Sequence, residues 1–325
     1  MRSSIHRDLS PLELAVLIPC FNEEASIGTV VRDFREVLPE ATIYVYDNNS
    51  TDATVERALA AGAIIGTELL QGKGNVVRRM FADIDADVFI LVDGDGTYDA
   101  SSAPLMLKEL VESSLDMVNA ARKGLSTAAY RTGHRMGNIL LTLMVAFIFG
   151  NRIHDMLSGY RCFSRRFVKS FPALTRGFEI ETELTVHALE LRMPVAEIAT
   201  PYKERPAGST SKLSALRDGF RILSTIAALV REDRPLLFFG VFFLLLATGS
   251  IVLAWPLAIT YLETGLVPRF PTAILATGMM LLAFLSGTCG LILDTVTRGR
   301  LEIKRFHYLA IPPPNRQFSK TAPTK

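Results

Sequence analysis

Short apolar runs alternate with amphipathic stretches through the first third of the chain. Residues 14–19 and 42–46 form apolar, β-rich runs, the second ending at Asp47, and residues 63–67, 88–92 and 116–120 repeat the pattern. Between them the apolar positions fall at helical spacing. In residues 24–38 the residues Ile27, Val30, Val31 and Phe34 share one face, which predicts an amphipathic helix. Residues 52–61, 73–83 and 101–113 read as further helices, with Thr51 or Asp52 as the cap of the first and Pro104 in the opening turn of the last. Strands alternating with helices predict an α/β fold, a mostly parallel sheet with helices on both faces.

After Arg122 the pattern changes. Residues 131–150 look helical, but the apolar run 139–149 is too short to cross a bilayer and predicts a core or interfacial helix. Residues 212–230 place Leu213, Leu216, Phe220, Leu223 and Ile226 on one face beside Arg217 and Arg221. This is the pattern of a helix lying on a membrane surface, with an ordinary core helix as the alternative. Residues 236–259 and 272–293 carry no charge and are almost wholly apolar. Each exceeds the ~20 residues that a helix needs to span the hydrocarbon core, so together they predict a transmembrane hairpin. Arg231 and Arg234 precede it, and Arg298, Arg300, Lys304 and Arg305 follow it, whereas the link holds only Arg269. By the positive-inside rule both chain ends are expected in the cytosol, at the cytoplasmic membrane. The expected organisation is a catalytic region over residues 1–211, a juxtamembrane helix over 212–234, the hairpin over 235–297, and a basic, then Pro-rich and disordered tail over 298–325.

Composition adds exclusions. A net charge of +2 argues against a nucleic-acid partner. Cys20, Cys162 and Cys289 show no metal or disulfide spacing and read as buried thiols. Residues 1–19 lack the apolar stretch of a signal peptide. Oligomeric state is open, and a homo-oligomer is compatible with the sequence.

Candidate chemistry gathers where the strands end. Asp93-Gly94-Asp95-Gly96-Thr97 follows the fourth apolar run. Open α/β sheets bind ligands at the carboxyl ends of their strands, and two carboxylates one residue apart suit Mg²⁺ accompanied by a substrate phosphate; Asp-Gly is also ordinary turn chemistry. Pro19-Cys20-Phe21-Asn22-Glu23-Glu24 and Asp47-Asn48-Asn49-Ser50-Thr51-Asp52 end the first two strands, where a nucleotide contact or plain capping would account for them. Gly72-Lys73-Gly74 is not a Walker loop, yet a backbone and one Lys there can meet an anion. Asp155 and Arg161 of Asp155-Met156-Leu157-Ser158-Gly159-Tyr160-Arg161 have each other as a ready partner, and Glu179 and Glu181 follow in Gly177-Phe178-Glu179-Ile180-Glu181. The polar loop 202–213 carries Lys203, Arg205 and Lys212, suited to phosphate or to anionic lipid. His134, His154 and His187 lie in no motif and read as structural.

The ordered series PCFNEE, DNNSTDAT, QGKGNVVR, DGDGTYD, DMLSGYR, FEIETEL and YKERPAGSTSKL, followed by two apolar segments, resembles family 2 glycosyltransferases. More narrowly it looks like the polyprenyl-phosphate (dolichyl-phosphate) hexose synthases, over about residues 14 to 295. The resemblance implies a GT-A nucleotide-diphospho-sugar fold and an inverting hexosyltransferase. Its donor would be a UDP- or GDP-sugar, with UDP favoured, and its acceptor a polyprenyl phosphate (undecaprenyl or dolichyl) in a lipid bilayer. By the same resemblance Pro19, Asn22, Glu23 and Asp47 line the nucleoside pocket, with Lys73 near the donor. Asp93 and Asp95 hold Mg²⁺ or Mn²⁺ on the diphosphate, and Arg205 lies near it with Ser209 and Lys212. Arg122 and Arg135 match positions that take the acceptor phosphate, and Asp155 is the acid of the SGYR motif. The chain departs from the family pattern at Asn48, where a second acid is usual, and at Thr97, where a Gln is often found.

Two other functions compete. A processive polysaccharide synthase normally shows a Gln-x-x-Arg-Trp motif, but the single Trp here, Trp255, lies inside an apolar segment. A non-catalytic scaffold for glycan assembly would need neither metal nor Asp93 and Asp95.

Overall fold

The computed structural model describes residues 12–123, 153–173, 177, 180–203, 231–232 and 234–313. The expected helices at 131–150 and 212–230 and residues 314–325 of the tail lie outside them. Two compact units emerge, one comprising residues 1–220 with 304–325 and the other residues 221–303.

In the first unit the strands are β1 (Leu14–Cys20), β2 (Thr42–Asp47), β3 (Ile64–Thr67), β4 (Val88–Leu91), β5 (Met117–Lys123), β6 (Arg161–Ser164) and β7 (Val195–Pro201). They form one sheet in the order β3-β2-β1-β4-β6-β5-β7. Within it β6 runs antiparallel to β4 and β5, while the other pairings are parallel. The chain steps outward from β1 to β3, then crosses to the other side of β1 to lay down β4. That crossing opens the crevice where doubly wound sheets bind ligands.

The helices α1 (Ile27–Val37), α2 (Thr54–Ala60), α3 (Lys73–Asp83) and α4 (Ala103–Glu112) connect these strands. α5 (Arg165–Ser170) and α6 (Ile180–Glu190) follow β6. The α1 face predicted from spacing is the buried one: Ile27, Val30, Val31 and Phe34 are all inside. They pack with Val16, Ile18, Ile43, Val45, Val88, Ile90 and the α4 residues Met106, Leu107 and Leu110 in one core. The other layer is aromatic. Phe81 of α3 meets Phe89, Phe163 and Phe171 edge to face, and Phe163 stacks on Phe167 at 4.5 Å. His187 of α6 packs among these rings, and burial pushes its imidazole down to about 3, so it is neutral at physiological pH.

The helix predicted over 52–61 starts later. Ala53 takes the cap position with no side-chain bond, while Asp52, one residue earlier, accepts from the Thr54 N–H at 3.0 Å. The helix predicted over 101–113 opens with a 3₁₀ turn at Ala100–Ser102, and Pro104 sits in the first turn of α4.

The second unit contains α7 (Pro235–Thr264) and most of α8 (Phe270–Leu309). Both are long and apolar enough to cross a membrane. Only 6% of the best window of α7 and 17% of that of α8 is buried, whereas the core helix of a soluble protein would be mostly covered. The two helices are antiparallel, because contacts farther from the link join residues farther apart in sequence. The Ser250 hydroxyl donates to the Ala276 carbonyl at 2.7 Å, Ser286 to that of Phe239 at 3.0 Å, and Thr297 to that of Glu232 at 2.9 Å. A Cβ at Gly290 would lie 3.0 Å from that of Phe239, so the absence of a side chain there permits a close approach of the two helices. α8 runs well beyond residue 293, the end expected from apolarity, because no Pro interrupts it before Pro312 and the Asp294–Arg298 pair supports its surface at i,i+4.

The last turn of α8 belongs to the first unit. There Asp116, fully buried at the start of β5, is held bidentately by Arg166, accepts from Ser164 at 2.7 Å, and accepts from the Tyr308 hydroxyl at 2.7 Å. Lys304 pairs with Glu190 at 2.7 Å. Losing a hydrogen bond to a charged group costs about 1.5–3 kcal/mol, and removing one partner of a buried ion pair about 3–5 kcal/mol. Tyr308→Phe is therefore expected to destabilise the unit measurably and Arg166→Ala about twice as much; denaturant titration followed by tryptophan-independent circular dichroism checks both, and equal, negligible effects would refute the anchor.

Candidate active site

The ends of the strands set the site out as a row. Reading along the carboxyl edge of the sheet, β2 delivers Asp47, β1 Cys20 and the following loop, and β4 Asp93 and Asp95. Next come Gly159 just before β6, Arg122 near the end of β5, and Tyr202 just after β7. Neighbouring strands lie about 4.8 Å apart, so β4 and β5, two places apart, are separated by roughly 10 Å.

At one end the loops after β1 and β2 are tied to each other. Asn22 adopts a left-handed conformation (φ 54°), takes the Thr51 N–H on its side-chain oxygen at 2.8 Å, and donates its own N–H to Ser50 Oγ at 2.9 Å. The Glu23 N–H donates to Thr54 Oγ1 at 2.8 Å, and Glu24 Oε2 accepts from the Ala53 N–H at 3.1 Å. Asp47 accepts from the Ser50 N–H and is 7% exposed. Pro19, Asn22, Glu23 and Asp47 are thus gathered at the ends of two adjacent strands.

Asn48 has a structural reason to be an amide. Its Nδ2 donates to the carbonyls of Glu68 and Leu70 at 2.7 and 2.9 Å, and its Oδ1 accepts from the Gly72 N–H at 2.7 Å. A carboxylate could supply only the acceptor half of this bonding. The strut holds the loop that leads to Lys73.

At the centre, Asp95 is 4% exposed. Thr97 donates to its Oδ1 from both hydroxyl (2.6 Å) and backbone (3.1 Å), so Thr97 orients Asp95. Asp93 lies against the backbone of Gly159: a Cβ there would sit 2.7 Å from the Asp93 Cγ and 2.8 Å from Oδ1. The Gly159 N–H in turn donates to the Tyr98 hydroxyl at 2.8 Å. Burial, with Asp93 nearby, pushes the Tyr98 hydroxyl up, so it remains neutral.

Lys73, at the start of α3, bridges Asp93 and Glu181, reaching Glu181 Oε1 at 2.5 Å. Burial disfavours the ammonium, but the two carboxylates outweigh it and hold Lys73 charged. Burial pushes the Glu181 carboxyl up, against the pull of Lys73.

Toward β5, Arg122 grips Asp155 with two bonds of 2.7 Å, and its backbone N–H adds a third at 3.1 Å. Burial raises the Asp155 carboxyl, and the guanidinium more than offsets this, leaving it below the usual range. The Arg122 guanidinium also lies 5.6 Å from the centre of the Tyr202 ring, which meets Tyr98 edge to face. A continuous set of contacts therefore links Asp93, Gly159, Tyr98, Tyr202, Arg122 and Asp155. Asp155 does not pair with Arg161. That guanidinium is fully buried and satisfied by Thr185 and the carbonyls of Ser158 and Met156, and burial lowers it to about 10.

Two contributors carried no role in the sequence reading. Glu181 stood inside a motif but without an assigned partner. Glu197 of β7 accepts from Asn119, from the backbone and ring of His154, and from the Asp155 N–H at 3.0 Å, which orients Asp155. It belongs to no motif. Arg135, Arg205, Ser209 and Lys212 lie outside the described residues.

Among the described residues no three His, Cys, Asp or Glu side chains converge as a complete metal cage. Asp93 and Asp95 still fit a cation that keeps water or phosphate oxygens, since Mg²⁺ is commonly held by one or two carboxylates plus substrate phosphates, and the Gly159 surface leaves room for the Asp93 carboxylate.

The glycosyl transferase family 2 model matches residues 15–171. The glycosyltransferase AglJ of Haloferax volcanii is 35% identical over 242 residues, 74% of this chain and 80% of that protein. A dolichyl-phosphate hexose transferase of the same organism is 29% identical, over 68% of this chain and 96% of that one. Glucosyl-3-phosphoglycerate synthase from Mycobacterium tuberculosis, solved in complex with Mn²⁺, UDP and glucosyl-3-phosphoglycerate, superposes with a TM-score of 0.58 at 21% identity, covering 70% of this chain and 81% of that one. The fold is GT-A, and the chain belongs to glycosyl transferase family 2, where it is similar to enzymes of the polyprenyl-phosphate hexose transferase type.

Proposed function

We propose that this glycosyltransferase moves a hexose from a nucleotide diphosphate sugar, most simply a UDP-sugar, to a polyprenyl phosphate in the cytoplasmic leaflet of a membrane. The observation that carries the reading is the placement of Asp93 and Asp95 at the switch point of the sheet, between the tied β1 and β2 loops and the Arg122–Asp155 pair. The similarity to a dolichyl-phosphate hexose transferase supports the acceptor, and the GT-A neighbour crystallised with Mn²⁺ and UDP supports the donor and the metal.

On this reading Pro19, Asn22, Glu23 and Asp47 receive the nucleoside, and Asp93 and Asp95 hold Mg²⁺ or Mn²⁺. The cation's contribution, when bound, is to offset charge on the departing diphosphate. Lys73 supplies a further positive charge beside Asp93. The nucleophile is an oxygen of the acceptor phosphate, and a phosphate monoester has a second pKa near ~6, so at neutral pH it is largely dianionic without a strong protein base. The protein's task is then to set two anions against each other. Asp155 and Glu197 fix the plane of the Arg122 guanidinium for that purpose, and attack from the face opposite the leaving group inverts the anomeric centre. Arg135, Arg205, Ser209 and Lys212 complete the phosphate contacts. α7 and α8 cross the bilayer, with the flanking Arg231, Arg234, Arg298 and Arg300 on the cytosolic side. A polyprenyl chain stays in the bilayer, so the enzyme is held where its acceptor is.

Membranes carrying the protein, incubated with labelled UDP-glucose, UDP-N-acetylglucosamine or GDP-mannose, are expected to yield label in a mild-acid-labile lipid from one donor. EDTA, and separately Asp95→Asn, should lower the rate by about 100-fold or more. Absence of lipid label from all three donors would favour a scaffold instead. Gly159→Ala adds a methyl group against the Asp93 carboxylate, and overpacking of this kind costs about 1–3 kcal/mol. It should weaken Mn²⁺-dependent nucleotide binding by about tenfold while the thermal midpoint stays within a few degrees of the parent's; unchanged binding would remove Gly159 from the site.

A further inference from the structure

Two carboxylates, Asp93 and Glu181, bracket one ammonium, Lys73, and Asp95 follows two residues after Asp93. The Lys73 side chain is 9% exposed and contacts both Asp93 and Glu181. Glu181 is 5% exposed, and its second oxygen, Oε2, is buried with no hydrogen-bond partner among the described residues. Charges removed from water persist only when paired, so Lys73, on leaving Asp93, stays on Glu181 and gains most by turning to a second anion.

A divalent cation held by both oxygens of Asp93, or placed beside Oδ1, competes with the ammonium bonded there. Arriving alone, it would push Lys73 off that oxygen and leave two cations adjacent. Arriving with a diphosphate, it brings the anion to which Lys73 can turn. Glu181 is placed to keep hold of Lys73 during the exchange, with Oε1 already bonded and Oε2 available as a second acceptor for an ammonium that has three donors.

We propose that Lys73, anchored by Glu181, occupies a cation position on Asp93 until a metal-bound nucleoside diphosphate enters, so that metal and nucleotide load together rather than independently. The inference rests on the donor-site reading above. Glu181 acts here as a positioning residue, working through Lys73. The consequence is a coupling: nucleotide tightens metal, and metal tightens nucleotide by the same factor.

The test titrates Mn²⁺ into the full-length protein in detergent, with and without saturating UDP or GDP. It compares the parent with Lys73→Met and with the double variant Lys73→Met, Glu181→Gln. The double variant removes the ammonium together with one buried carboxylate, so it leaves Glu181 without an unpaired charge and folds even if the single variant does not. Both are expected to bind Mn²⁺ alone more tightly, and the factor by which nucleotide tightens Mn²⁺ should fall by about tenfold. Deleting a nearby positive charge would by itself raise metal affinity equally with and without nucleotide. An unchanged factor therefore overturns the proposal even if Mn²⁺ alone binds better. Asp93→Asn separates this outcome from failure of the donor site: if Mn²⁺ binding ignores both Asp93→Asn and nucleotide in every variant, the donor-site reading has failed, and the proposal with it.

Discussion

A carboxylate taken out of water has to meet a cation or a set of donors within hydrogen-bond reach. This requirement organises the first unit. Asp93 meets Lys73, Asp155 meets Arg122, and Asp116 meets Arg166. The first two lie on the carboxyl edge of the sheet and the third at the start of β5, on the opposite edge. The third is also the most enclosed, with a buried serine and the Tyr308 ring closing over it. It joins α5, β5 and the end of α8 through one charge, which makes that edge a place of stability. On the carboxyl edge the same pairing leaves more exposure, 28% at Asp93 against none at Asp116, and exposure is what a ligand needs.

Local bonding also explains particular residue types, two of which depart from the family pattern. Asn48 replaces an acid because the position must donate twice to carbonyls as well as accept once. Thr97 stands where a Gln is often found, and it spends both its hydroxyl and its N–H on Asp95. Gly159 is a glycine because the Asp93 carboxylate takes up the space of a side chain. Thr97 and Gly159 thus serve a neighbouring carboxylate, whereas Asn48 serves backbone groups.

Much of this was legible in the sequence, and the rest was hidden for identifiable reasons. Helical spacing located the buried face of α1, and the bounds of α3 follow from its pattern, because a half-buried helix writes its burial into its sequence. β6 was not anticipated. It has four residues and begins with Arg161, and a charged residue inside a strand breaks the apolar signal even though here the guanidinium is fully buried. Asp93 and Asp95 stood out because they directly follow an apolar strand. Glu181 did not, since its importance comes from Lys73, 108 positions away in sequence. Glu197 was unreadable for the same reason: only the pairing of β5 with β7 brings it beneath Asp155. Local pattern reveals elements, whereas the partners of charges are decided by which strands lie side by side.

The order of the strands then gives the site a direction. Acids dominate near β1, β2 and β4, where Asp47, Asp93 and Asp95 stand with Glu181 and, among the described residues, Lys73 pairs with two of them. An acidic pocket of this kind repels a bare diphosphate and accepts one that brings its own cations. Two strands away, Arg122 offers a cation whose orientation is set by Asp155 and, behind it, Glu197. In the proposed function the acceptor phosphate is assigned to that cation, without a metal. The proposed function thus gives one edge of a single sheet two anions to hold by two different means, with the sugar in the interval between them. Under that proposal the differing electrostatics of the two ends would sort donor from acceptor by charge before any contact with the sugar or the lipid is made.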